Sequence, residues 1–443
     1  MLLNFTCKNF KSFRDGFSFN MVPEKRMKEL DYSILSERIG KKDEKALSAS
    51  VIYGPNAAGK TSIINAMSCM RQMVLRGNIK DSEDDRYGDH ISNGMSLAPF
   101  AFRTDAEAVE FDVTFTADGT KYRYLIAVYL GVFLDKKAER YIEKEQLYVN
   151  DELVFSRTKD AVDKLDLIPI ENKLNVGFDI KDSEKMLRVM SSNITSESLL
   201  LVTDFNSFCS KKVVENIRTW FEKKFIIINS SDRIRFMPSI PDDNGWAITS
   251  KEINRIAQEA GILGSEFVYV NDPETHRTKL MSVLKKTDST AYGLDADRIE
   301  SVGTMRLISI MPAIITALEN GSVLVMDELD ASLHPMIVMN LISVFHNDGV
   351  NKNGAQLIFN THNPIYLNHN LLRRDEIKFV ERDANSKSSS LYALSDFKAN
   401  GEASVRKTSD YMKNYFINRY GAIVDIDLTD IIADVLRGAD GNE

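Results

Sequence analysis

Cysteine is scarce in this chain: Cys7, Cys69 and Cys209 are the only three among 443 residues. Scattered and odd in number, they supply neither a disulfide framework nor a metal-ligand pair, and they point to a reduced, cytoplasmic setting. Long apolar runs are missing too. The longest, LISIMPAIITAL at 307–318, contains Pro312 and is shorter than the ~20 residues of a bilayer-spanning helix. The first residues, MLLNFTCKNFKSF, become charged too soon for a secretory leader. Positive charge is not in excess: 56 Lys and Arg face 64 Asp and Glu, a net charge of −8. Nucleic acid is therefore not the favoured partner of the chain as a whole. No internal repeat recurs, no run of heptads is sustained that would build an extended coiled coil, and low complexity is confined to NSKSSS at 385–390. What remains is an ordinary globular composition, 43% hydrophobic and 27% charged, long enough for two or three folding units.

Within that composition, residues 54–61 read GPNAAGKT and fit G-x-x-x-x-G-K-[ST]. The apolar Val51 to Tyr53 precede the string and the helix-forming AAGKTSIINAMSCM runs through and beyond it, so the order is strand, loop, helix. Glycines at 54 and 59 let successive backbone N–H groups converge on one centre, and the helix beginning near Lys60 adds its positive end. Gly54, Asn56, Ala57, Ala58, Gly59, Lys60, Thr61 and Ser62 are the expected phosphate cradle. Lys60 should reach the β- and γ-phosphates, and the Thr61 hydroxyl should ligate Mg²⁺. Far downstream, VLVMDE at 323–328 has the look of a buried strand closing on two acids. A carboxylate at such a strand end is costly unless paired or metal-bound. Asp327 is the expected partner of Mg²⁺, and Glu328 the general base facing the attacking water. The two strings imply a nucleoside-triphosphate site that uses Mg²⁺.

Residues 1–20 alternate as a β-hairpin around Asp15-Gly16, 23–48 read as a polar surface excursion, and 61–75 as the helix after the loop. The acidic stretch within 77–97, KDSEDD, reads as a solvated mobile loop. Residues 98–158 contain several alternating segments with turns at Asp118-Gly119 and Asn150-Asp151, an antiparallel sheet. Helical periodicity dominates 180–265, a strand pair is expected at 266–290, and 300–380 alternate helix and strand: helix 304–319, strand 322–327, helix 335–347, strand 355–360 and a last strand near 376–381. The expected units are an amino-terminal half of the nucleotide core (1–160), a mainly helical insertion (161–290), a carboxyl-terminal half (291–385) and an extension (386–443).

Two further strings belong to the second half. ESVGTMR places Ser301, Gly303 and Thr304 before an apolar helix, which reads either as an ordinary helix cap or as a second anion-binding nest lent to the γ-phosphate of a partner subunit. AQLIFNTHNP sets His362 just beyond a core strand, where it would touch and sense the γ-phosphate. In this order, GPNAAGKT, SVGTMR, VLVMDELDASLHP and FNTHN resemble the ATP-binding-cassette ATPases of the RecF, SMC and OLD type. With the tail SDFKANGEASVRKTSDYMKNYFINRYGAI, they look closest to stand-alone abortive-infection ATPases (AbiL/RloA-like) and the ATPase of the PARIS anti-phage system.

The resemblance implies an α/β fold: an ABC-type P-loop ATPase head with a mixed core sheet, an antiparallel β subdomain and a helical insertion. It implies catalytic Glu328, His362 and Lys60, metal-binding Thr61 and Asp327, a signature motif at Ser301, Gly303 and Thr304 acting in trans, and Asp330 at the dimer seam. The signature is SVGT rather than LSGGQ, the Q-loop falls near Phe100 to Arg103, coiled-coil arms are absent, and no Toprim nuclease segment follows the cassette. The implied function is a nucleotide-dependent dimer or higher oligomer that senses a phage protein and controls a separate effector or toxin from a neighbouring gene. The alternative is a RecF/SMC-like DNA-repair ATPase; a transporter subunit is disfavoured by the split cassette, and no membrane partner is implied.

Overall fold

ASVIY, the strand Ala49–Tyr53, is buried at all five positions and lies inside a six-stranded sheet. The computed structural model describes the chain except residues 26, 28, 81–96, 136, 230–246, 249, 272–277, 286–289, 398–404, 406–408, 425, 426 and 440–443. In this sheet the order is Phe225–Ile228, Val323–Met326, Gln356–Asn360, Ala49–Tyr53, Ile377–Arg382 and Ser389–Ala393. The first five strands run parallel and the last antiparallel, so the core sheet is mixed. Parallel strands are covered on both faces, which is why they read as continuous apolar runs. Here Ile52, Val325, Ile358 and Val380 enter one core with the phosphate-loop helix. Val51, Tyr53, Leu324, Phe359 and Phe379 enter a second core with two later helices.

The first core is closed by a seven-stranded antiparallel sheet, in which Leu2–Lys8 lies between Phe17–Asn20 and Val109–Ala117, followed outward by Thr120–Tyr129, Tyr141–Val149, Glu152–Thr158 and Val162–Leu165. The hairpin and the antiparallel sheet expected of 1–20 and 98–158 are thus both present. Helices Val302–Asn320 and Pro335–His346 cover the second core. The former extends LISIMPAIITAL at both ends to 19 residues and, among the described residues, is the one helix long and apolar enough to cross a membrane; here it buries Leu307, Ile310 and Ile314 in that core.

Two stretches differ from their sequence expectation. Residues 23–48 are not a plain polar excursion: Ile34–Ile39 and Lys42–Leu47 form a two-stranded ribbon. Its charged residues hid the strands, because one pair of faces points to solvent. Within the helical stretch, Ser183–Asn193, Lys211–Thr219 and Lys251–Glu259 are helices, but Phe225–Ile228 is a core strand paired in parallel with Val323–Met326. The strand pair Ser265–Asn271 and Thr278–Lys285 belongs to a four-stranded sheet. The expected acidic loop at 77–97 falls largely outside the described residues. The tail returns to the core: Tyr415 stacks on Phe379 at 5.8 Å and lies 6.0 Å from Tyr53, the last residue before the phosphate loop.

Candidate nucleotide site

The parallel strands deliver their carboxyl ends to one edge, where ligands of open α/β sheets bind. Ala49–Tyr53 ends in the loop 54–59, and helix Lys60–Arg76 starts there. Gly59 has φ +115°, and a Cβ on it would stand 2.6 Å from Ser12 Oγ. At Gly54 a Cβ would meet the Val380 carbonyl oxygen at 2.3 Å. Both glycines are demanded by close approach of neighbouring segments as much as by the turn. Ser389 Oγ donates to the Ala58 carbonyl at 2.5 Å, so the serine-rich tract read as low complexity supplies the edge strand and braces the loop.

The loop opens into a cavity of about 540 Å³ lined by Asn56, Ala57, Gly59, Lys60, Thr61 and Ser62. Glu328, Asn360 and His362 line it as well. Gly54 and Ala58 shape the loop without lining the cavity. Lys60 is buried, its Nζ donating to the carbonyls of Gly54 (2.8 Å) and Pro55 (3.0 Å). Burial pulls its ammonium down to about 8, against the opposing pull of Asp327 and Glu328. Such a desolvated cation among loop N–H groups is a ready counter-charge for phosphate.

Asp327 sits at the end of Val323–Met326, buried, and Thr61 Oγ1 donates to its Oδ1 at 3.2 Å. Burial raises the Asp327 carboxyl, offset by hydrogen bonds from Asn360 and Thr61. This pair of hard oxygen donors beside a phosphate loop fits Mg²⁺. Glu328 takes left-handed backbone (φ +51°), which turns its exposed side chain away from the strand and into the cavity. His362 is also exposed there, and burial together with nearby Lys60 lowers its pKa, favouring neutral imidazole.

Sequence reasoning missed Asn360, the last residue of Gln356–Asn360. Its Nδ2 donates to Asp327 Oδ1, while its Oδ1 accepts from the Glu328 N–H at 2.5 Å. One buried amide thus fixes both acids. Arg306 Nη2 holds the Glu328 carbonyl at 3.0 Å, and Thr361 Oγ1 donates to Asp330 Oδ2 at 2.6 Å. A polar residue ending an apolar strand beside another strand's acids was the available signal. Asn360→Ala should lower kcat by about 10²-fold, a loss typical of removing a partner that orients a ligating group, while nucleotide affinity changes little. Phosphate release and equilibrium titration measure the two separately; an unchanged kcat would remove Asn360 from the arrangement.

Ser301, Gly303 and Thr304 do not line this cavity. Ser301 Oγ caps helix Val302–Asn320, accepting from the Thr304 N–H at 3.1 Å, and its side chain is exposed. Gly303 packs so closely on the loop after Glu328 that a Cβ would lie 2.6 Å from the Ser332 carbonyl. The segment Phe100 to Arg103 holds no glutamine; it meets the cavity through Ala101 and Phe102, and Arg103 pairs with Glu107. Lys11, Ser12, Phe133 and Arg382 also line the cavity and were not singled out from sequence.

No curated protein matches the chain. Among solved structures it is similar to the SMC head domain from Thermotoga maritima, at 15% identity over 88% of this chain and 98% of that one, with TM-score 0.36. An Smc head bound to the C-terminal domain of ScpA, from Pyrococcus furiosus, gives 14% identity over 88% and 96%, with TM-score 0.35. The family described as "AAA domain, putative AbiEii toxin, Type IV TA system" matches residues 49–168 and 257–368, the two segments that carry the phosphate loop and the Asp327–His362 stretch. With more than half of its length matched, the chain belongs to this AbiEii-type AAA family, an ABC-type group of P-loop ATPases.

Proposed function

We propose that the chain is an ATP-hydrolysing switch of anti-phage defence. Two copies close on ATP, and hydrolysis or a phage protein releases a separate effector encoded nearby. The observation that carries this reading is the division of the machinery. The loop, Glu328 and His362 share one cavity, whereas Ser301, Gly303 and Thr304 stand outside it at the start of a helix, where a second copy would present its γ-phosphate. The toxin–antitoxin description of the family supports the defence role. Supporting a protein partner, helix Thr429–Ala439 leaves Ile431, Ile432, Val435 and Leu436 more than half exposed.

In this reading Lys60 neutralises the β- and γ-phosphates, and Thr61 and Asp327 hold Mg²⁺. When bound there, Mg²⁺ would supply charge neutralisation for the phosphates. The Glu328 carboxylate accepts a proton from the attacking water. Neutral His362 donates a hydrogen bond toward the γ-phosphate and reports its loss through the adjoining turn Pro364–Tyr366, on which helix Tyr411–Phe416 packs.

Light scattering of the Glu328→Gln protein tests the proposal. ATP–Mg²⁺ should double its mass, and a product of a neighbouring gene should co-elute with it. A mass indifferent to ATP, with DNA retarded instead, would favour a repair ATPase.

A further inference from the structure

At the amino ends of the core strands a second cavity, of about 310 Å³, is walled by Tyr32, His346, Asn347, Asp348 and Asn370. The proposed chemistry uses none of them. Helix Pro335–His346 ends here, and Glu376 directly precedes strand Ile377–Arg382, whose far end, Arg382, lines the nucleotide cavity. His346 is only 4% exposed, yet its ring lines this second cavity. Its Nε2 stands 3.1 Å from Oε1 of the fully buried Glu376, whose Oε2 accepts the Arg373 N–H at 2.8 Å. A carboxylate only accepts, so Nε2 carries the hydrogen of that bond. Nδ1 has no hydrogen-bond partner among the described residues and is not sealed from solvent, so it opens to the cavity. In the neutral ring that atom is an acceptor, and the carboxylate behind it fixes the tautomer. The other walls are held as firmly. Asn351 donates to the Phe345 and Ala355 carbonyls, both at 2.8 Å, and accepts the Ala355 N–H at 2.7 Å, closing the loop that carries Asn347 and Asp348. Tyr32 follows Leu30, whose left-handed backbone (φ +44°) is uncommon for leucine. The Tyr32 ring is 54% exposed and stands at 72° to the His346 ring, 6.4 Å between centres.

We propose that this cavity docks the guanidinium of an arginine on a protein partner. The groups that meet there converge on a flat cation. Asp348 brings an exposed carboxylate, and His346 Nδ1 and the amide oxygens of Asn347 and Asn370 are neutral acceptors beside it. The last carbonyls of Pro335–His346 add the negative end of a helix dipole. The exposed Tyr32 face attracts a cation and stacks on a planar one. A guanidinium answers all of these at once, because its five donors lie in one plane whose faces remain free to stack; an ammonium offers three donors around a point charge. Size points to a single side chain. The volume lies at the small end of the roughly 300–1,000 Å³ in which whole ligands are held. A partner's arginine leaves its main chain outside and needs room only for its head group. The inference draws on no nucleotide and stands whichever way the ATP reading falls.

Titration calorimetry of the full chain with N-acetyl-arginine amide tests the proposal, with the corresponding lysine and citrulline compounds and spermidine for comparison. The blocked arginine should bind saturably at roughly millimolar affinity, the scale of one well-placed side chain without the rest of its partner. The lysine compound should bind more weakly, and citrulline, similar in shape but uncharged, should not bind measurably. Asp348→Asn and Tyr32→Ala, both at exposed positions, should each weaken the blocked arginine about tenfold, the low end for losing a contact to a charged group. Their thermal midpoints should match wild type, which separates a lost contact from a lost fold. Absence of saturable binding, equal binding of arginine and citrulline, or an affinity unmoved by Asp348→Asn overturns the proposal. Spermidine binding more tightly than the blocked arginine also overturns it, in favour of a site for free polyamines.

Discussion

Lys60→Ala should abolish nucleotide binding, raising the dissociation constant for ATP–Mg²⁺ by 10² or more. The lysine is the one cationic group that the phosphate loop itself contributes to the cavity. Hydrogen bonds to charged partners each contribute about 1.5–3 kcal/mol, so losing contacts to two phosphates corresponds to roughly 10²–10⁴ in affinity. The variant should nevertheless fold. In this structure the ammonium is buried and spends its donors on the Gly54 and Pro55 carbonyls. Burial, its largest influence, already pulls the pKa down to about 8, so the charge is held against a desolvation cost. Alanine removes that cost along with the two hydrogen bonds, and the thermal midpoint should stay within a few degrees of wild type or rise. Titration calorimetry and a thermal melt on one preparation check both halves. Retained binding with an intact fold would show that the loop does not hold phosphate through Lys60; a melted variant would show that the side chain braces the loop.

The chemistry of this loop was legible because it is local. Glycine at two positions, Lys60 and Thr61 lie within eight residues, and the turn, the counter-charge and the helix end must be adjacent to work. The acids were legible for a related reason: Val323–Met326 is buried at all four positions and ends in Asp327 and Glu328. What sequence could not give was the arrangement between strands. Asn360 matters because Gln356–Asn360 lies beside Val323–Met326 in parallel register, a pairing made across some thirty residues of chain. Phe225–Ile228 reads as four more apolar residues after a helix until its pairing with Val323–Met326 is known. The Ile34–Ile39 ribbon escaped because its charges face solvent. Phe102 and Arg382, 280 positions apart in sequence, meet in the lining of the same cavity.

The acid at position 328 should separate binding from hydrolysis. Glu328→Gln should lower kcat by 10²–10⁴, the range expected for removal of a general base, with ATP affinity within a few-fold of wild type. The geometry makes this a clean substitution. The main chain of residue 328 is pinned from both sides, its N–H by Asn360 and its carbonyl by Arg306, and neither bond involves the side chain. Those two backbone bonds hold residue 328 in its left-handed conformation (φ +51°). Glutamine matches glutamate in shape, so the cavity wall is preserved while the proton acceptor is lost. The exposed carboxylate faces the side on which a γ-phosphate would carry its charge, and removing one negative charge there lowers repulsion, so affinity should hold or increase slightly. Phosphate release and nucleotide titration on the same protein give the two numbers. Hydrolysis at the wild-type rate would place the base elsewhere, with His362, which lines the same cavity and has a lowered pKa, as the next group to replace.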